Sequence, residues 1–144
     1  GMGGQPVTSR FVSFTDEMNF VLSAADLVIS RAGAGAIAEI VRCRLPSILI
    51  PYPYAADNHQ ALNAEFLERK GGTIVCPEDS IESNLLNEVR EVMYNEEFRT
   101  VIRRNLFSLD HGDIANRLAD DLCQCLKTKS LDNSLKQGVF NIAG

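Results

Sequence analysis

No apolar run in these 144 residues approaches the ~18 needed to span a bilayer as a helix. The N-terminal GMGGQPVTSR has no apolar core of the kind a secretory signal carries, and Gly1 ahead of Met2 reads as the remnant of a cleaved tag. Positive charge is in deficit. A formal net charge of −5 argues against nucleic acid as a partner, since binding a phosphate backbone favours a basic surface. The four cysteines, Cys43, Cys76, Cys123 and Cys125, are joined by no second Cys or His pair at zinc-like spacing. Cys123 and Cys125 stand two apart in a helical pattern, so they point in different directions. They read as reduced structural thiols of a cytoplasmic protein, with no metal site and no cofactor expected. There is no internal repeat beyond strand–helix alternation and no low-complexity segment.

What is present is ordinary for a globular chain: 45% hydrophobic and 23% charged residues, in a length that suffices for one domain with a real core but not for two. A short strand at 11–14 precedes a helix at about 18–25, with Asp16, Glu17 and Asp26 as candidate caps. Residues 27–30 form an apolar strand and 34–42 a helix whose Ala34, Ile37, Ala38 and Val41 share one stripe. The continuous apolar run 47–50 reads as a strand buried on both faces of a parallel sheet, stopped by Pro51 and Pro53. A helix at 59–70 ends at Gly71-Gly72 in a left-handed cap, and 73–76 is a further strand. Beyond it the pattern is helical: 80–93 with Leu85, Val89 and Val92 on one stripe, then 96–107 and 113–127. Residues 129–144 show no clear period. The expectation is an α/β fold, a Rossmann-like parallel sheet with right-handed helical crossovers and helices at its C-terminal end.

Residues 26–63 carry the chemistry. The turn Arg31-Ala32-Gly33-Ala34-Gly35-Ala36 directly follows an apolar strand, and its small side chains let helix-start N–H groups approach a phosphate-bearing ligand. The same small residues also suit tight helix–strand packing. Glu39, one turn further on, is within reach of a ribose hydroxyl pair, because a carboxylate accepts from two neighbouring O–H donors. Asp57, His59, Gln60 and Asn63 crowd the start of the next helix with hydrogen-bonding groups, either to read a nucleotide-linked sugar or to cap that helix. Nothing places a carboxylate beside His59 to orient it as a base.

The series Phe11-Val12-Ser13-Phe14-Thr15-Asp16-Glu17-Met18, Ala25-Asp26-Leu27-Val28-Ile29-Ser30-Arg31-Ala32-Gly33-Ala34, Ala38-Glu39, Leu45-Pro46, Ile48-Leu49-Ile50-Pro51-Tyr52-Pro53 and Asp57-Asn58-His59-Gln60-Ala61-Leu62-Asn63-Ala64 shows a family likeness in order and spacing. It resembles the C-terminal, donor-binding half of the MurG-type N-acetylglucosaminyltransferases of peptidoglycan synthesis. The similarity fades after about Gly72, and the later helices agree only in pattern.

The resemblance implies part of the C-terminal domain of a two-Rossmann-domain (GT-B) glycosyltransferase. Residues 1–10 would be tag remnant and leader, 11–128 the donor-binding domain and 129–144 a tail. It implies transfer of N-acetylglucosamine from its UDP donor to a lipid-linked muramyl-pentapeptide. By the same resemblance Glu39 meets the ribose, while Gln60 and Asn63 read the sugar. His59 contacts sugar or phosphate. The 32–36 backbone, with Ala32, Gly33 and Ala34, faces the diphosphate or sugar. Phe14-Thr15 matches the segment that reads the uracil edge, although Phe14 suits a core equally, and Arg31 is either a phosphate contact or plain surface.

No Asp-x-Asp motif is present, so a metal-dependent arrangement is not supported. The family's first strand–helix–strand portion, with its Gly-Gly-Ser phosphate loop, has no counterpart. Gly3-Gly4-Gln5 has no strand before it, and four strands are visible where such domains have about six. Ala36 stands where the family often carries Thr or Ser. The family's base and lipid-binding surface belong to an N-terminal acceptor domain, so no catalytic residue is expected in this chain, which would be inert alone. Two alternatives accompany this reading: the donor-binding subunit of a split two-chain enzyme, or a non-catalytic paralogue that binds a nucleotide-sugar or a protein. The full enzyme would be cytoplasmic, peripheral on the inner face of the membrane. A sheet lacking its first strands would also leave an edge open to self-association.

Overall fold

The computed structural model describes residues 8–13, 15–54 and 59–110. Helix α1 (Met18–Ala24) leads into strand β1 (Val28–Ser30), helix α2 (Ala34–Cys43), strand β2 (Ser47–Leu49), helix α3 (His59–Arg69) and strand β3 (Ile74–Val75). Helices α4 (Leu86–Tyr94) and α5 (Glu96–Asp110) follow. The strands form one parallel sheet in the order β1-β2-β3, with Ile29 opposite Ile48 and Leu49 opposite Val75. The α/β expectation is borne out.

β2 is central, and all three of its residues are buried, as its unbroken apolar run required. Leu49 faces a core shared by α2, α3 and α5, in which Ile37, Ile40, Val41, Ala64, Leu67, Ile102 and Leu106 are all buried. On the predicted stripe of α2, Ile37 and Val41 are buried and Ala38 is partly so, but Ala34 is exposed. Ala34 is the first helical residue and overhangs the sheet, so its place on the stripe meets solvent. At the opposite ends of the strands, the Ser47 and Thr73 hydroxyls are buried 2.7 Å apart. Thr73 Oγ1 donates to Ser47 O, so the Ser47 hydroxyl donates to Thr73.

Two helix ends close in the same manner. At α3, Gly72 N–H donates to Leu67 O and Gly71 N–H to Glu68 O, with Gly71 at φ 69°, the left-handed termination its glycines announced. At α2, Leu45 N–H donates to Ile40 O and Arg44 N–H to Val41 O, with Arg44 in the left-handed position at φ 51°. The sequence offered no glycine there. Arg44 is instead held by its guanidinium, 4.3 Å over the Phe107 ring.

Several expectations need correction. The described part of the expected 11–14 strand is not a strand; Phe11 and Val12 are exposed, because among the described residues no neighbouring strand takes their backbone groups. Three strands, not four, stand among the described residues. Glu17 occupies the N-cap of α1 but its side chain makes no capping bond, and among the described residues neither Asp16 caps α1 nor Asp26 caps α2. The Thr15 hydroxyl accepts from Glu17 N–H in their place. The single helix expected at 80–93 opens as a 3-10 turn at Glu78–Ser80 and a wide π turn at Ile81–Leu85 before α4. There the Ser83 hydroxyl takes the Ser80 carbonyl and competes with regular helix bonding. Phe14, Asp57, the 113–127 helix and the 129–144 tail lie outside the described residues.

Candidate functional site at the C-terminal edge of the sheet

Parallel strands deliver their following loops to one edge, where ligands of open α/β sheets bind. Here that edge carries Arg31 after β1, Ile50 and Tyr52 after β2, and Glu78 after β3. α2 starts from it, with Gly33 as an extended N-cap whose carbonyl accepts the first helical bond from Ile37 N–H. The first-turn amides of Ala34, Gly35 and Ala36 therefore have no intrahelical partner. A Cβ added at Gly33 or at Gly35 would meet nothing within 4 Å, and Ala34 and Gly35 are exposed, so the start of α2 is open at its surface. An open helix start with positive partial charge suits an anion. Glu39 lies one turn below Gly35 on the same side of α2, half-buried and without an ion pair among the described residues.

The start of α3 is fastened to both preceding loops. Asn63 Nδ2 donates to the Ala32 carbonyl at 3.0 Å, and Gln60 Oε1 accepts from Tyr52 N–H at 2.9 Å. Ala32 is fully buried, so the turn before α2 is fixed from behind. Asn63 is 97% buried, behind that turn rather than out in the open, and its Oδ1 has no partner among the described residues. Gln60 spends its oxygen on the loop and keeps its Nε2 donors. His59 opens α3 half-buried, and Thr15 is half-buried near the start of α1. Of the ten residues singled out, the structure thus groups Arg31, Ala32, Gly33, Ala34, Gln60 and Asn63 about one turn, with Glu39 below it; Phe14 lies outside the described residues.

Sequence reasoning missed Tyr52 and Glu78. The Arg31 guanidinium donates through Nη1 to Glu78 Oε2 at 2.7 Å and to Ile50 O at 3.3 Å, and it lies 5.5 Å from the centre of the Tyr52 ring. Their signal was position, since each stands three residues past the end of a strand of the sheet. Beyond them is a cleft of about 660 Å³ walled by Tyr52, Tyr54, Glu65, Glu68 and Glu78, containing none of the ten. Glu78 is paired with Arg31, while Glu65 and Glu68 leave this cleft rich in carboxylate. Among the described residues no group of three or more His, Cys, Asp or Glu is placed to hold a metal ion, and no helix is long and apolar enough to cross a membrane.

Residues 4–118 match the profile of the glycosyltransferase family 28 C-terminal domain. The chain belongs to that family. As a family 28 domain it is similar to a protein of Opitutus terrae named UDP-N-acetylglucosamine–N-acetylmuramyl-(pentapeptide) pyrophosphoryl-undecaprenol N-acetylglucosamine transferase. The two are 44% identical over 91% of this chain and 34% of that protein. A protein of the same name from Sorangium cellulosum is 38% identical over 86% of this chain and 30% of its own length. Among solved structures, that of Acinetobacter baumannii MurG superposes with a TM-score of 0.65 at 26% identity, over 81% of this chain and 35% of that one. The resemblance read from the motifs is borne out. This family 28 domain spans about a third of the length of the relatives it matches.

Proposed function

We propose that this chain is the donor-binding part of an N-acetylglucosaminyltransferase and holds UDP-N-acetylglucosamine at the C-terminal edge of its sheet. The observation that carries this is the open start of α2, framed by Glu39 below and by the fastened first turn of α3 behind. The α2 amides neutralise the diphosphate, which leaves as UDP when the acceptor oxygen bonds to the sugar's anomeric carbon. Glu39 accepts from the ribose hydroxyls, and the Gln60 Nε2 donors and His59 face the sugar side. Phe14 and Thr15 serve the uracil. Asn63, buried behind the site, acts by holding the Ala32 turn. The lipid-linked muramyl-pentapeptide acceptor and the base that takes its proton belong to a partner region, an N-terminal domain or a separate subunit. The complete enzyme works at the inner face of the membrane.

Calorimetric titration with UDP-N-acetylglucosamine tests the reading. Glu39→Ala is expected to weaken binding about tenfold, the usual worth of hydrogen bonds to a charged group. Affinity unchanged by that substitution would sink it and favour a non-catalytic paralogue.

We also propose that β1 pairs with a second copy of this chain. Val28 N–H donates to Pro46 O and Ser30 O accepts from Ile50 N–H, so alternation turns the Ile29 N–H and carbonyl away from β2. On the far side of the sheet the outward Val75 N–H is covered by Glu68 Oε1 at 3.2 Å; Ile29 has no such cover among the described residues and is 46% exposed. Sedimentation velocity is expected to show concentration-dependent dimers that Ile29→Lys abolishes, since edge lysines block strand pairing. A wild-type chain that stays monomeric at high concentration would rule this out.

A further inference from the structure

The Arg31 contacts tie together the ends of all three strands, since the guanidinium of the residue after β1 bonds the carbonyl of Ile50 after β2 and the carboxylate of Glu78 after β3. Both bonds use Nη1. The Nε and Nη2 donors are engaged by nothing among the described residues, and Arg31 stands two residues ahead of the Gly33 N-cap. With side-chain exposures of 48% and 36% the ion pair is too wet to matter much for stability. Its geometric effect is larger. Arginine has a long flexible stem, and a carboxylate that fixes one end of its planar fork also fixes where the remaining donors lie. The Tyr52 ring beside the guanidinium further limits it.

We infer that Glu78 is a positioning residue, which holds Arg31 so that its free N–H groups meet a phosphate oxygen of the donor beside the α2 amides. This rests on the donor-binding reading above. It gives the third strand's loop a part in the site, although Glu78 itself touches no ligand.

Three variants and two ligands test it, with calorimetry on the whole chain and thermal unfolding alongside. Glu78→Ala is expected to weaken UDP-N-acetylglucosamine roughly tenfold, the size of losing one oriented charge-assisted hydrogen bond. Uridine, which has no phosphate, should bind as before, and unfolding should be nearly unchanged. Glu78→Gln keeps an acceptor for Nη1 and should restore most of the affinity. Glu39→Ala, acting on the ribose, should weaken both ligands. If Glu39→Ala weakens the donor and Glu78→Ala does not, the donor reading stands and the inference falls. Tighter donor binding in both Glu78 variants would show a carboxylate competing with phosphate, which also overturns it. A parallel loss of uridine would make Glu78 merely structural. A wild-type chain that binds no donor would overturn both readings together.

Discussion

Replacing Asn63 by aspartate is expected to destabilise the domain by about 3 kcal/mol at neutral pH, the range found when a buried charge lacks its partner. Asn63 is 3% exposed and its Nδ2 donates to the carbonyl of fully buried Ala32. Aspartate has the same shape but offers an oxygen where the donor was, so two acceptors face each other out of water. Asn63→Ala removes the donor without adding a charge and should cost less, about 1–2 kcal/mol for an unsatisfied carbonyl. Thermal unfolding separates the cases: a midpoint roughly 10 °C lower is expected for the aspartate variant, and a smaller fall for alanine. Burial holds the new carboxyl's folded pKa above its unfolded value, so the charge-dependent deficit builds as pH rises from the unfolded pKa to the folded one, is full above the folded pKa and is absent below the unfolded one. An aspartate variant as stable as the parent at pH 7 would mean that the Asn63–Ala32 bond does not fix the turn.

Leu67→Ala is expected to cost about 2–5 kcal/mol, the range for a fully buried leucine whose cavity cannot collapse. Leu67 is fully buried among Ile37, Leu49, Ile102 and Leu106, where α3, α2 and α5 meet over the sheet. Its neighbour in space is the Gly72 backbone. A Cβ on Gly72 would lie 3.0 Å from Leu67 Cδ1 and 2.9 Å from Leu106 Cδ2, so Gly72→Ala overpacks the same spot. The two changes should therefore couple: with Leu67 shortened, the added methyl gains room, and the double variant should lose less than the sum of the singles. Denaturant unfolding of the four proteins measures this. Strict additivity would show that Leu67 and Gly72 do not share the packing described.

The elements that were legible were those whose pattern is local. The run 48–50 had no polar break, and the central strand of a parallel sheet is the place for such a run. Gly71-Gly72 predicted the α3 termination because only the local backbone decides it, whereas the equivalent turn at Arg44 escaped notice because a distant ring, Phe107, holds it. The strand expected at 11–14 failed for the complementary reason. Its apolar residues have strand character, but a strand exists only where another backbone accepts its hydrogen bonds.

The sequence by itself determined the order of strands and helices from α1 to β3, the open Gly-Ala start of α2, and the residues Glu39, Gln60 and Asn63 as a set worth testing. Each follows from residue type and short-range spacing. Only the tertiary structure decided that Asn63 turns inward to Ala32, 31 positions away, and that Arg31 is claimed by Glu78, 47 positions away. Those bonds depend on which strand ends the sheet places side by side. That adjacency comes from burying Leu49 beneath three helices at once, a packing result that no stretch of sequence specifies alone.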